Sequence, residues 1–411
     1  MPRIKRIPSQ RLHKPSGQAR VIVDGQHVYL GPHGSPESRE QYAQIIAERF
    51  SGHRDLPPPA NDGDRFSELS VNELVLRYME FAATYYTKDG QPTGEVGNVR
   101  DAVRPLCALY GHTRVGHFGP RSLKAVQKYM IAVENLCRRV INARINRIRR
   151  VFKWAVSEEL IAPSVHEGLR SVSGLRRGRG GARETEPIRP VPDEWVDATL
   201  KFLSPVVADM VRVQRLTGMR PGSVTIMRGC DIDTSGRTWF YTPLDHKTRY
   251  LERDLRVPIG PKARAIIRRY LRRSPQVFLF SPIEADEWRR NQRAAHPKPG
   301  RTPVYPCEVK RLARKKATRQ TRKRKRPLRD HYDTDSYYQA VQYAIAKANK
   351  SGVAVPAWHP NQLRHSRATE VRRAYGIEGA QVLLGQARAD VTQVYAERDT
   401  RLAEEIARKT G

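Results

Sequence analysis

The sequence predicts a multidomain, mainly α-helical chain with small β elements, and three observations lead there. Apolar residues recur at helical spacing, most clearly at Ile141, Ile145, Ile148, Phe152 and Val156, which step by 4, 3, 4 and 4 along one helix face. Short β-type runs occur at residues 18 to 30 and again between 238 and 259. Two stretches that cannot pack a core, one proline-rich and one basic and glycine-rich, interrupt the periodic segments. With 39% hydrophobic content over 411 residues, the chain can bury two or three cores.

The elements follow in order. Residues 1–55 read as a β-hairpin plus helix module. β-branched runs flank Asp24-Gly25, a strong hairpin turn signal. Ser35-Pro36-Glu37-Ser38 then marks a helix start, with Ser35 as N-cap, Pro36 in the first position and Ser38 as the alternative cap. Tyr42, Ile45, Ile46 and Phe50 continue it at helical spacing, and Arg3, Lys5, Arg6, Arg11, Lys14 and Arg20 surround it with positive charge. Residues 56–67, opening Leu56-Pro57-Pro58-Pro59, form a stiff linker.

Residues 68–173 read as a helical domain. From Arg138 to Ser157 it carries Arg144, Arg147, Arg149, Arg150 and Lys153 and no acid, which favours phosphate contact over a merely solvated face. Residues 174–189 contain Arg176-Arg177-Gly178-Arg179-Gly180-Gly181, expected to be a flexible hinge that could lie along DNA. Residues 190–411 make a mixed α/β domain, helical except for short strands at Thr238–Tyr241 and Arg256–Ile259. Within it, about 284–335 reads as a basic insertion. It places 11 Lys or Arg between Lys310 and Arg326, among them Arg311, Arg322 and Lys323, with no acid. A disordered or DNA-ordered segment is expected there, and a nuclear localisation signal has the same composition.

Charge points to the partner. Seventy-five Lys and Arg against 42 Asp and Glu give +33, a field that attracts a polyanion, and double-stranded DNA is the leading partner. Ribosomal and chromatin proteins share such a charge but are usually short or disordered. Cys107, Cys137, Cys230 and Cys307 form no CxxC pair, so neither a zinc site nor a disulfide framework is expected, and the compartment reads as reducing. No secretory h-region follows the N-terminus and no stretch approaches the ~20 apolar residues of a membrane span, so a cytoplasmic location is expected. No GxxxxGK[ST] loop occurs, and no metal or other cofactor is expected.

Three segments carry the chemistry. Thr217-Gly218-Met219-Arg220-Pro221-Gly222-Ser223 and Gln362-Leu363-Arg364-His365-Ser366 each set an arginine beside helix-start or turn residues. Leu384-Gly385-Gln386 leads on to Tyr395. In this order they resemble the tyrosine recombinases, the phage-integrase family, over roughly residues 68 to 400. The resemblance implies an arm-type DNA-binding module, a helical core-binding (SAM-like) domain and a catalytic domain. It also implies a homotetramer on DNA formed from a free monomer.

The implied reaction breaks and rejoins DNA strands through a 3'-phosphotyrosine. Tyr395 is the implied nucleophile, and Arg220 with Arg364 matches the family's arginine pair, whose planar forks hold phosphate oxygens at any working pH. Lys247 matches the hairpin lysine that protonates the leaving 5'-oxygen, with His246 and Arg249 as rivals. The pattern departs at Asn361 and Gln386, where the family has histidine, or histidine or tryptophan, and at Ser223, where it has an acid. Amides can donate to a phosphate oxygen but are poor proton acceptors at neutral pH. His359 and His365 are near enough in sequence to supply a base, and a structural role for either stays open. A non-catalytic DNA-binding relative and a type IB topoisomerase are the competing readings. The helix implied by Arg401, Leu402, Glu405, Ile406 and Lys409 would dock on a neighbouring protomer or cover its own domain.

Overall fold

The structure, a computed structural model, describes residues 8–23, 25–51, 69–88, 90–245, 255–295, 305–321, 327–386 and 408. The chain divides into two compact units, Met1–Glu186 and Pro187–Gly411.

The first unit opens with an antiparallel sheet of β1 (Arg11–His13), β2 (Gln18–Val23) and β3 (Gln26–Pro32), in that order. Val23 pairs with Gln26, so the hairpin turn is the two-residue loop the sequence signals. Strand β1 was not foreseen, because Arg11-Leu12-His13 has no β-branched residue and is drawn into the sheet by pairing with β2. Helix α1 (Pro36–Ser51) starts at Pro36, and the Ser38 amide donates to Ser35 Oγ at 3.1 Å. The sheet buries only Ala19, Val21 and Leu30, whereas Ile46 and Ala47 of α1 join the larger helical core.

That core is built by α2 (Val71–Tyr85), α3 (Gly94–Tyr110), α4 (Pro120–Ala132), α5 (Arg138–Ser157) and α6 (Pro163–Arg170), with a small hairpin of β4 (Thr87–Lys88) and β5 (Gln91–Pro92) after α2. Ser70 and Glu73 form a capping box on α2, satisfying two orphan amides. The predicted face of α5 is the buried one, with Ile141, Ile145, Ile148 and Phe152 all enclosed and Phe152 stacked on Phe118 at 5.1 Å. The stretch expected to be a flexible hinge is fastened to α5. The Asn142 amide bonds the Leu175 carbonyl and amide at 3.0 and 2.8 Å, and the Arg138 amide donates to Arg183 O at 2.9 Å. These bonds hold the two ends of the stretch, Leu175 and Arg183, against α5, while residues 176–181 between them are exposed.

The second unit comprises α7 (Asp193–Leu200), α8 (Pro205–Thr217), α9 (Pro221–Thr225), β6 (Ile232–Asp233), β7 (Trp239–Tyr241), β8 (Val257–Ile259), α10 (Pro261–Ile267), α11 (Pro282–Ala295), α12 (Pro306–Thr321), α13 (Thr334–Lys350) and α14 (Asn361–Leu384). Prolines open several of these helices, where a missing N–H costs nothing and the fixed φ suits the first turn. Helix α8 is the central element, buried from Val206 to Val211. The two foreseen strands pair antiparallel as β7 and β8, Tyr241 opposite Val257, with β6 added on the other edge of β7.

The segment expected to be disordered contains most of α11 and all of α12. Ala285 is buried and Arg273 pairs with Glu284, so the start of α11 is packed. Helix α12 is rich in Ala, Arg, Lys and Gln, residues that lose little freedom in a helix, and that propensity outweighs like-charge repulsion. Among the described residues no helix is long and apolar enough to cross a membrane.

Candidate functional site

The turn that carries Arg220 begins where α8 ends. Gly218 takes φ 70°, and a Cβ there would sit 3.0 Å from both Arg367 Cγ and Leu384 Cδ2, so a side chain would be strained by the backbone and crowded by its neighbours. Arg220 follows as the extended N-cap residue of α9. Its neighbours are occupied: Arg215 lies between Asp193 at 2.7 Å and Glu370 at 2.8 Å, and Arg228 grips Asp231 at 2.8 Å. Among the described residues Arg220 has no carboxylate partner.

Arg220 lines a cleft of about 580 Å³ together with His359, Asn361, Thr334 and Tyr338. Asn361 is the first residue of α14, and Thr334 and Tyr338 lie in the opening turns of α13. Among the described residues the side chains of Asn361, Tyr338 and His359 also have no hydrogen-bond partner. Burial lowers the His359 pKa from its ordinary value, which favours the neutral ring near pH 7. Residues bearing a guanidinium, an amide, a phenol and an imidazole therefore line one space, with those groups unpartnered among the described residues. Such a wall suits an anion with several acceptor oxygens.

A buried glutamine that the sequence reading missed ties this wall together. Gln214 of α8 is fully enclosed; its Nε2 donates to Pro360 O at 3.0 Å and Met219 O at 3.3 Å, and its Oε1 accepts from Tyr337 Oη at 2.8 Å. Each partner immediately precedes a cleft residue: Asn361, Arg220 and Tyr338. The only sequence signal was a long amide following the largely apolar run Met210-Val211-Arg212-Val213.

The other expected residues fall elsewhere. Arg364 is buried, with Nη1 donating to Gly218 O at 2.8 Å and Nη2 to Leu384 O at 2.9 Å. His365 is buried in α14 and is not among the residues lining the cleft. Gln386 is buried just after α14, and neither side-chain polar atom has a partner among the described residues. Tyr395, Lys247, His246, Arg322 and Lys323 lie outside the described residues. Ser223 is buried and its carbonyl accepts from Tyr241 Oη at 2.8 Å, locking α9 to the sheet.

The basic face of α5 is less free than its sequence implies. Arg144 pairs with Glu134 at 2.7 Å, Arg147 grips Glu95 through two bonds of 3.0 and 2.8 Å, and Arg150 reaches both Glu95 at 3.1 Å and Tyr86 Oη at 2.8 Å. Hydrogen bonding from Arg147 lowers the Glu95 pKa. The acids come from outside residues 138–157, where a local charge count does not look. Lys153 is exposed on α5, and Lys310 and Arg311 are exposed on α12. Among the described residues no group of three or more His, Cys, Asp or Glu gathers as a metal site.

Comparison of whole structures decides the architecture. The chain superposes on a lambda integrase tetramer bound to a Holliday junction with a TM-score of 0.54 and 12% identity, covering 97% of this chain and 98% of that one. It superposes on the Tn1549 transposon integrase in complex with circular intermediate DNA with a TM-score of 0.53 and 13% identity, covering 83% and 99%. The fold is that of the tyrosine recombinases. No protein-family model and no curated protein sequence matches the chain. At this identity the tyrosine-recombinase likeness speaks for the fold, and function is argued from the site.

Proposed function

We propose that this protein is a site-specific DNA recombinase or integrase that cleaves and rejoins DNA strands through a 3'-phosphotyrosine, without ATP. The observation that carries the proposal is that Arg220, Asn361 and His359 line one cleft with their side-chain polar groups unpartnered among the described residues, on a fold shared with DNA-bound integrases. A phosphodiester seated there would receive charge-assisted hydrogen bonds from Arg220 and a neutral one from the Asn361 amide. Arg364 holds the backbone of the turns before Arg220 and Gln386, and turning its outer edge to the phosphate would complete the clamp. Tyr395 would attack phosphorus and Lys247 would protonate the departing 5'-oxygen; attack by another 5'-hydroxyl reverses the step and joins exchanged strands. The bond energy stays in the phosphotyrosine, so no nucleotide is consumed. Double-stranded DNA is the proposed substrate, acted on by a tetramer assembled from monomers.

The test is covalent trapping. The full-length protein is mixed with fragmented DNA from its source genome, denatured, and the protein-bound DNA is sequenced. An adduct at a recurrent site, lost in Tyr395→Phe while DNA affinity stays within about 2-fold, is the expected result, because one hydroxyl goes and the positive surface remains. No adduct with the parent protein would leave a DNA-binding relative as the better reading. An adduct accompanied by supercoil relaxation but no exchange between two sites would favour the topoisomerase.

A further inference from the structure

We infer that Tyr338 is a further substrate-contacting residue of this cleft, donating a hydrogen bond from its phenol to a non-bridging oxygen of the phosphate held by Arg220. The inference rests on reading the cleft as a phosphodiester site and adds a group that the sequence motifs do not include. Three observations carry it. Tyr338 lines the same cavity as Arg220 and Asn361 and is 40% exposed, so a ligand in the cavity can reach this residue. Its hydroxyl has no partner among the described residues.

The third observation is its anchoring. Successive residues on a helix point about 100° apart. Tyr337 uses this to enter the core, where it is fully buried and donates to Gln214 Oε1 at 2.8 Å. Tyr338 is thereby turned outward into the cleft. The start of α13 is fixed as well, by a reciprocal cap between Asp333 and Ser336. Because Gln214 also bonds the carbonyls of Pro360 and Met219, one side chain holds the Tyr337 phenol beside Tyr338 and the backbones preceding Asn361 and Arg220. A phenol on a fixed helix is a pre-placed donor, the arrangement that favours the charge developing on phosphate oxygens during attack. No proton leaves the tyrosine in this role.

The experiment uses full-length protein and a nicked duplex built on the site recovered by covalent trapping. Tyr338→Phe should slow single-turnover cleavage at saturating protein by at least about 10-fold, with affinity for the duplex within about 2-fold. On a duplex whose scissile phosphate is a methylphosphonate, one diastereomer replaces the contacted oxygen by methyl, and there parent and Tyr338→Phe should cleave at the same rate. Equal rates on the natural duplex would overturn the inference while leaving the proposed function intact. So would a deficit that persists undiminished on both diastereomers, or peptide mapping that finds the DNA attached to Tyr338 in the parent protein. Failure of the parent to form any adduct would instead sink the proposed function.

Discussion

Arg364 donates from Nη1 to the carbonyl oxygen of Gly218 at 2.8 Å, two residues ahead of Arg220. Its Nη2 does the same to Leu384 O, two residues ahead of Gln386. One buried guanidinium thus brackets two turns that carry proposed site residues, whereas Arg220 stands uncommitted in the cleft. The two arginines of the motif differ in what they support.

This difference predicts a separation by stability. Arg364→Ala strips buried carbonyls of their donor and should cost about 3 kcal/mol of folding free energy. Arg220→Ala should change stability by less than about 0.5 kcal/mol, as expected away from buried networks, yet reduce single-turnover cleavage roughly 10²- to 10³-fold. Urea unfolding beside a cleavage time course reads both. Equal destabilisation by the two substitutions would show that Arg220 has a structural partner.

Gln214→Leu keeps the volume and removes every hydrogen bond of the hub. Two carbonyls and the Tyr337 hydroxyl would be left buried without this partner, a loss of about 2–4 kcal/mol. Cleavage by the fraction that remains folded should also fall, because three cleft residues lose their common reference. A Gln214→Leu protein with parental unfolding midpoint and rate would remove the hub from the account.

What could be read beforehand was whatever neighbouring residues encode. The Asp24-Gly25 hairpin, the Ser35-Pro36 helix start and the buried face of α5 follow from local turn chemistry and periodicity, and the structure has each of them. Arg220 and Asn361, singled out through motif order, both line the cleft. Hidden from the sequence were the pairings made across the chain. Glu95 is 52 positions from Arg147, Tyr337 is 123 from Gln214, and Pro360 is 146 from Gln214. Charge counts in a window cannot reveal such partners, which is why α5 looked free.

Glu95 gives a prediction about acid. Its pKa is lowered, chiefly by hydrogen bonding from Arg147, so the folded state binds its proton less readily than the unfolded chain. The associated stability is fully present above the unfolded value of ~4.3 and is lost as pH falls through the lower folded value. Glu95→Gln should therefore lower the unfolding free energy at pH 7, by about 1 kcal/mol given the partial exposure of the pair, and flatten its dependence on pH below ~4.3. Parallel parent and variant curves across that window would mean that the pair contributes nothing to folding.

Asn361 and His359 make the sharpest prediction because, under the proposed function, they would divide hydrogen-bond donation and proton acceptance between them. The Asn361 amide can donate to a phosphate oxygen but does not titrate, while His359, in the same cleft, has a pKa lowered by burial and is poised to accept a proton in its neutral form. If His359 takes the Tyr395 proton, cleavage requires the neutral ring. The single-turnover rate should then rise with pH to a midpoint below the ordinary ~6.5 and be level above it. His359→Gln should abolish that rise. Asn361→Leu should keep the midpoint and lower the plateau by roughly 10²- to 10³-fold, the effect of removing a positioned donor. Asn361→His should keep or raise the plateau, since an imidazole there can also donate, and should add a second titration. A parent profile without the rise would exclude His359 as the base, and a parental plateau in Asn361→Leu would take the amide out of the site.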